Sequence, residues 1–183
     1  KDYTLVTPAQ PTDDPAKIEV LEFFSYGCPH CSDFHPLISA WSAKLPADVI
    51  FKRVPVTFGR AAWANIAKLF YTLEITGDLA KLDGDVFKAI HGERANLFDE
   101  KVLTEWAIKK GVDPKKFADT FNSFGVMSKV KRGDQLAQGH KIQGVPSIAI
   151  DGKYLGGGKD FTEQLAIADK LIAKARSEKP GKK

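Results

Sequence analysis

Two closely spaced cysteines constrain this chain of 183 residues more than any other feature. The sequence contains Cys28 and Cys31 and no other cysteine, and they enclose Pro29 and His30. A disulfide-stapled domain needs many more cysteines, so this chain has to fold around an ordinary hydrophobic core. Hydrophobic residues make up 43% and charged residues 27% of the chain, which suits such a core. No apolar run is long enough to predict a membrane-spanning helix.

The residue pattern predicts a strand before the cysteine pair and a helix after it. β-branched and aromatic residues fill residues 17–24, between a proline and a glycine that mark the ends of the strand. A helix is predicted from residue 28 to about residue 44, because Pro29 is favourable in a first helical turn. Residues 49–56 form the next predicted strand. The order strand, helix, strand predicts parallel pairing through a right-handed crossover.

Beyond this unit the predicted structure is helical and then returns to strands. Five helices are predicted here. Apolar residues recur at helical spacing in 60–74 and 78–91, start and stop residues mark 99–110 and 113–122, and a further helix is predicted at 126–138. Two further strands, joined by an Asp-Gly turn, and a last helix are predicted at 146–150, 153–155 and 161–175. With a short edge strand at 3–6, the fold class is α/β. We predict a discontinuous domain of residues 1–58 and 140–183, interrupted by a helical insertion of residues 59–139.

Cys28 lies where the predicted strand ends and the helix begins, which favours a thiolate. The N–H groups of a first helical turn have no partner within the helix, and the helix dipole places positive charge there. His30 adds a positive charge or a hydrogen bond. We therefore predict a lowered pKa for Cys28, which becomes the attacking nucleophile. The spacing brings Cys31 to the same helix face as the resolving thiol. Because a stabilised thiolate favours the reduced protein, the disulfide is predicted to be an oxidant.

A metal site is the alternative interpretation of the same pair. A structural zinc ion takes four protein ligands, and the chain has no second pair of cysteines, while His30 lies inside the motif. We therefore predict no metal and no cofactor other than the redox-active disulfide itself. A metal-binding module that uses Cys28 and Cys31, such as a metallochaperone, is the alternative from a different functional class.

The net charge of +4 raises the question of a nucleic-acid partner. Residues 169–183 contain six basic and two acidic side chains, which accounts for the whole excess. The rest of the chain is neutral and shows no basic stripe interleaved with aromatic residues. We therefore expect a frayed, solubilising tail and no nucleic-acid partner.

The motifs of this chain resemble those of the DsbA family. The cysteine tetrapeptide follows Leu-Glu-Phe-Phe-Ser at residues 21–25, and Gly-Val-Pro-Ser at residues 144–147 precedes a predicted strand and turn. The resemblance covers nearly the whole chain and implies a thioredoxin fold with an inserted all-helical domain. It implies an oxidase that donates its disulfide to folding secreted polypeptides with unpaired cysteines. A DsbB-type membrane oxidase would then restore the disulfide.

The resemblance also implies roles for residues outside the tetrapeptide. Val145 and Pro146 would form a cis-proline loop that faces the active site and pairs with the substrate backbone. Glu22 would be a buried acid beneath the site, with Lys52 on the neighbouring strand as its partner. Such a charge pair would set the protonation of Cys31 during turnover.

Further expectations concern location, assembly and competing functions. The polar start of the chain shows no signal peptide, and the resemblance implies a monomer in the periplasm whose signal peptide is removed. A disulfide isomerase or reductase of the same fold is the alternative within the class, and His30 disfavours a reductase. Tyr26, beside the motif, is expected to add to an apolar docking surface.

Overall fold

The computed structural model describes residues 2–180 and contains every strand and helix that the sequence predicts, with ends shifted by a few residues. The strands are β1 (Tyr3–Leu5), β2 (Ile18–Phe24), β3 (Val49–Pro55), β4 (Ser147–Ile150) and β5 (Tyr154–Gly156). The helices are α1 (Pro29–Ser42), α2 (Ala61–Thr76), α3 (Leu79–Phe87), α4 (Glu100–Lys109), α5 (Pro114–Phe121), α6 (Phe124–Gly139) and α7 (Phe161–Ser177). A π-helical turn at Lys88–Gly92 continues α3. None of the helices in the described range has the length and hydropathy that crossing a bilayer requires.

The five strands form one sheet in the order β1, β5, β4, β2, β3. All seven residues of β2 are buried, as suits a strand with neighbours on both sides. β2 and β4 pair in antiparallel fashion, with Phe23 opposite Ser147 and Glu22 opposite Ile148. This pairing places the carboxyl end of β2 and Pro146, the residue before β4, at the same end of the sheet.

The core beside the sheet is built from α1, α7 and the central strands. Its buried apolar residues are Ile18, Val20, Phe34, Ile38, Ile148, Ile150, Tyr154, Ile167, Ala168, Leu171, Ile172 and Ala175. The rings of Phe34 and Phe161 stack at a centroid distance of 4.7 Å. Each large aliphatic or aromatic side chain buried here contributes roughly 1.5–3 kcal/mol to folding. This core fixes the position of the strands that lead to the cysteine motif.

The chain forms two compact units. The sheet unit comprises the described residues up to 24, residues 33–54 and the described residues from 137 onward, and the helical unit comprises residues 25–32 and 55–136. The cysteine motif therefore groups with the helices, although the sequence assigns it to the predicted sheet domain. The predicted domain limits, with an insertion of residues 59–139, stay a prediction.

The C-terminal residues up to 180 are anchored, and the expectation of a frayed tail is wrong for them. The guanidinium of Arg176 donates two hydrogen bonds to the carboxylate of Asp48, at 2.7 and 2.9 Å. The ammonium group of Lys179 lies 2.9 Å from the buried carboxylate of Asp151. Ion pairs thus hold two of the six basic side chains of residues 169–183, and the last two lysines of the chain lie outside the described residues.

Replacing Lys179 with methionine should destabilise the fold by roughly 3 kcal/mol, because the buried Asp151 carboxylate loses its cationic partner. Lys174→Met is the matched control. Lys174 is more exposed and lies 3.9 Å from Glu178, so its loss should cost less than about 1 kcal/mol. Urea denaturation of both variants measures the difference. Equal destabilisation by the two substitutions would show that Lys179 is not an anchor.

Candidate active site

Residues 25–32 carry the chain from the end of β2 into α1 and present Cys28 at the helix start. The Ser25 carbonyl accepts a hydrogen bond from the Cys28 N–H at 3.1 Å, and the Ser25 hydroxyl accepts one from the Gly27 N–H at 3.1 Å. α1 begins at Pro29, one residue later than the sequence predicts, where the missing proline N–H costs no hydrogen bond. Cys28 therefore occupies the N-cap position.

The Cys28 sulfur caps α1. The backbone N–H of Cys31 donates to this sulfur at 3.4 Å, and the N–H of Ser32 donates to the Cys28 carbonyl at 3.1 Å. These are the side-chain and main-chain hydrogen bonds of an N-cap residue. Both cysteines are present as thiols. Cys28 is 8% exposed and Cys31 is 0% exposed, so Cys31 is the more buried of the two.

The pKa of Cys28 is lowered from 9.0 to about 6. The largest cause is the hydrogen bond from the Cys31 thiol, and burial opposes it by raising the pKa. The backbone N–H groups of Cys31 and His30 lower the pKa further, and the charge of His30 contributes least. Cys28 is therefore mainly a thiolate at pH 7, and the predicted direction of the shift is confirmed.

Tyr26 anchors the motif to helices of the same unit. Its hydroxyl donates to the Asp83 carboxylate at 2.5 Å, and its carbonyl accepts a hydrogen bond from Nε2 of His91 at 2.7 Å. Its ring contacts that of Phe87 edge to face, with the centroids 4.8 Å apart. Tyr26 is 1% exposed. The expectation that it adds to a docking surface is therefore wrong, because its ring lies in the core.

Gly27 allows the helical unit to pack closely against the motif. A Cβ atom at this position would lie 2.8 Å from Nε1 of Trp63 and 3.1–3.2 Å from side-chain carbons of Phe98 and Ile66. Because there is no room for a side chain, only glycine fits without moving these neighbours. The residue directly before Cys28 is thus held in place by packing.

The buried acid Glu22 is paired with Arg53, and the prediction of Lys52 as its partner is wrong by one residue. Nε of Arg53 donates to Oε1 of Glu22 at 3.2 Å. Successive side chains point to opposite faces of a strand, so Lys52 lies on the other face of β3. There it pairs with Asp13 and Glu19.

Val145 and Pro146 are joined by a cis peptide bond directly before β4, as the resemblance implies. They line an open groove of about 630 Å³ in the sheet unit. Leu5 and Leu155 provide apolar walls of this groove, and Lys141 contributes a cation. The role of Val145 and Pro146 in substrate binding stays a prediction.

Metal-ligating side chains do not cluster in the part of the chain that the structure describes. Among residues 2–180 there is no group of three or more histidine, cysteine or carboxylate side chains placed to hold an ion.

Two residues of the site region, Asp83 and His91, were missed in the sequence, and a third, Arg53, was passed over for its neighbour Lys52. Arg53 could have been found by strand alternation once the register of β3 against β2 was known. Asp83 and His91 lie 57 and 65 residues after Tyr26, and no spacing or motif relates them to it. Only the folded chain brings them together.

Comparison with known proteins identifies a matching family and relatives that align with nearly the whole chain. The family model described as a DSBA-like thioredoxin domain matches residues 35–168. The thiol:disulfide interchange protein DsbA of Bordetella parapertussis is 42% identical over 178 residues, which cover 95% of this chain and 84% of that protein. The protein of the same name from Pseudomonas aeruginosa is 40% identical over 180 residues, which cover 97% of this chain and 85% of that protein.

Solved structures of DsbA proteins have the same fold as this chain. The crystal structure of Pseudomonas aeruginosa DsbA matches with a TM-score of 0.92 at 39% identity, and the match covers 97% of this chain and 93% of that chain. The oxidoreductase DsbA from Xylella fastidiosa matches with a TM-score of 0.90 at 30% identity, with coverages of 97% and 96%. The predicted fold class and resemblance are confirmed.

The pKa of Cys28 can be measured directly from the ultraviolet absorbance of its thiolate, and the titration should have its midpoint near pH 6. Cys31→Ala should raise this pKa more than His30→Ala, because the Cys31 thiol is the largest cause of the lowering and the His30 charge the smallest. Both variants keep the backbone N–H groups. A wild-type midpoint near 9, or a larger effect from His30→Ala, would contradict this account.

Replacing Arg53 with methionine should cost roughly 3–5 kcal/mol of folding free energy, because the Glu22 carboxylate would be left buried without its cation. Lys52→Met should cost less, because Lys52 and Asp13 are solvent-exposed and the buried Glu19 lies at the outer limit of an ion pair, 3.9 Å away. Urea denaturation of the two variants distinguishes the neighbours. A larger loss for Lys52→Met would restore the pairing that the sequence predicts.

Proposed function

The chain belongs to the DSBA-like thioredoxin family of thiol:disulfide oxidoreductases, and on this premise we propose that it acts as an oxidase. The observation that carries the proposal is the stabilised Cys28 thiolate. Hydrogen bonds to a charged sulfur stabilise the reduced protein more than the uncharged disulfide. A disulfide whose reduced form is stabilised takes electrons readily from other thiols.

The proposed reaction has two thiol–disulfide exchanges. A substrate thiolate attacks the Cys28 sulfur of the Cys28–Cys31 disulfide, the bond between the two enzyme sulfurs breaks, and Cys31 leaves as a thiolate that takes up a proton. A second substrate thiolate then attacks the substrate sulfur of the mixed disulfide, and Cys28 leaves as a thiolate. Two electrons pass from the substrate thiols to the enzyme, and the substrate gains a disulfide.

Burial selects the sulfur that is attacked. Cys28 is slightly exposed, and Cys31 has no exposed surface. A bulky polypeptide thiolate therefore reaches Cys28 first, which supports the predicted roles of nucleophile and resolving thiol. Pro29 supports the same arrangement, because it starts α1 directly after Cys28 and keeps the sulfur at the N-cap.

The groove beside Val145 and Pro146 supports an extended polypeptide as the substrate. Its apolar walls, Leu5 and Leu155, suit aliphatic side chains of an unfolded segment, and Val145 offers a main chain with which such a segment can pair. The substrates that we propose are therefore folding secreted polypeptides with unpaired cysteines.

The remaining features of the proposal follow the family. We propose that the protein works as a monomer in the periplasm, and that a quinone-linked membrane oxidase of the DsbB type reoxidises it. We also propose that the Glu22–Arg53 pair, in place of Glu22–Lys52, influences the protonation of Cys31 during turnover.

The redox potential, measured by equilibration with glutathione, distinguishes the three possible activities. A disulfide isomerase typically has a potential of about −180 mV, and we expect a less negative potential for this protein. A value close to about −180 mV would indicate an isomerase, and one near about −270 mV would indicate a reductase. Retention of a stoichiometric metal ion without redox cycling would instead indicate a metal-binding module.

The stability of the reduced protein should depend on pH in a direction that the Cys28 pKa determines. Because this pKa is lowered from 9.0 to about 6 in the folded protein, the thiolate contributes stability that is complete above about pH 9. That stability is lost as the pH falls through about 6. The oxidised protein is the internal control, since it has no thiol to titrate. Urea denaturation of both forms should show a difference that varies with pH in this range, and a constant difference would contradict the thiolate account.

A further inference from the structure

Phe58 is an exposed aromatic residue in an unusual backbone conformation. It lies between β3 and α2, its φ angle is +50°, and 43% of its surface is exposed. A bulky side chain with a positive φ is an outlier that persists only where the surroundings hold it. Such strain concentrates at functional sites, and Phe58 gains little burial in exchange for it.

The conformation of this loop is held by hydrogen bonds to a carboxylate on α6. Oδ1 of Asp134 accepts from the Thr57 N–H at 2.9 Å, and Oδ2 accepts from the Thr57 hydroxyl at 2.6 Å. The Thr57 hydroxyl oxygen in turn accepts from the Gly59 N–H at 3.1 Å. Hydrogen bonds on both sides of Phe58 thus hold the backbone of the loop in this conformation.

A cation and a second aromatic ring lie beside Phe58. The ring centroids of Phe58 and Trp63 are 6.0 Å apart, and the guanidinium carbon of Arg60 lies 4.4 Å from the centroid of the Trp63 ring. Within residues 2–180 no carboxylate forms an ion pair with Arg60. The cation is therefore stacked on a ring and open to an acidic group from outside.

This cluster adjoins the cysteine motif. Nε1 of Trp63 lies 2.8 Å from the position that a Cβ atom at Gly27 would occupy, and Gly27 directly precedes Cys28. The contact is an interior one, because Trp63 is 9% exposed, and it joins the support of Phe58 and Arg60 to the residue before Cys28.

We propose that the exposed Phe58 and Arg60, supported from beneath by the buried Trp63, form a docking surface, here the Phe58 surface, for the substrate polypeptide itself. It favours substrates with an apolar side chain next to an acidic one near the reacting cysteine. Aromatic residues and arginine are the side chains that most often dominate binding energy at interfaces. An unpaired cation selects an acidic partner by charge complementarity. The inference rests on the proposed oxidase function and adds the substrate preference.

The test compares two dithiol peptides as substrates of the oxidised full-length protein. One has a Leu-Glu pair on each side of its cysteines, and the other has Ser-Gln pairs at the same places. The wild-type protein should oxidise the Leu-Glu peptide about tenfold faster, as judged by kcat/KM, which is the effect of burying roughly one apolar side chain. The part of this preference that depends on glutamate should weaken as salt is added.

Two substitutions should reduce the preference. Phe58→Asn removes the ring but tolerates a positive φ, so the loop is kept, and the preference should fall several-fold. Arg60→Gln should remove the part of the preference for the Leu-Glu peptide that weakens when salt is added. Phe124→Ala and Arg132→Gln are the matched controls. Phe124 is 86% exposed on α6 of the same unit, and Arg132 is exposed on the same helix, so both should keep the wild-type preference.

The failure of this inference can be told apart from failure of the oxidase function. The inference is overturned if the wild-type protein shows no preference, or if Phe58→Asn and Arg60→Gln keep it in full. It is also overturned if these variants slow only the reoxidation step, because the surface would then serve the membrane partner. Oxidation of dithiothreitol by the wild-type protein reports on the disulfide alone, and its absence would contradict the oxidase proposal.

Discussion

The chemistry of this protein depends on the first turn of α1, whose N–H groups point at the sulfur of Cys28. A helix start always has N–H groups without partners in the helix, and here a sulfur takes the place that serine, threonine or aspartate usually fills. The interaction is strong when the sulfur is charged and weak when it is part of a disulfide. The same local geometry therefore holds the helix start together and favours the reduced form of the protein.

This geometry is supported mainly by the helical unit. β2 delivers the chain to the motif, but residues 25–32 pack with the helices. Tyr26 is buried and hydrogen-bonded to Asp83, and its carbonyl is bonded to His91. Gly27 packs so closely against Trp63 that a side chain at this position would collide with it. The helical unit thus fixes the segment that carries the reactive sulfur.

Local patterns in the sequence predicted the fold and the central motif, and long-range contacts escaped prediction. The helix after Cys28 could be predicted because Pro29 is compatible with a helix only near its start, and this placed the sulfur at the helix terminus. The partner of Glu22 was missed because Lys52 and Arg53 are adjacent, and only the register of β3 decides which faces the acid. The C-terminal tail was predicted to be frayed from its charge alone. The acids that hold Arg176 and Lys179 lie far away in the sequence.

The leading role of the Cys31 thiol in lowering the Cys28 pKa links the two steps of the reaction. In the proposed reaction the substrate attacks Cys28, and Cys31 leaves as a buried thiolate that takes up a proton. That proton then lies in the hydrogen bond that stabilises the Cys28 thiolate when Cys28 leaves in the second step. An isolated cysteine at a helix start would receive the backbone N–H groups without this donor. The second cysteine is therefore both the other half of the disulfide and the group that makes the first a good leaving group.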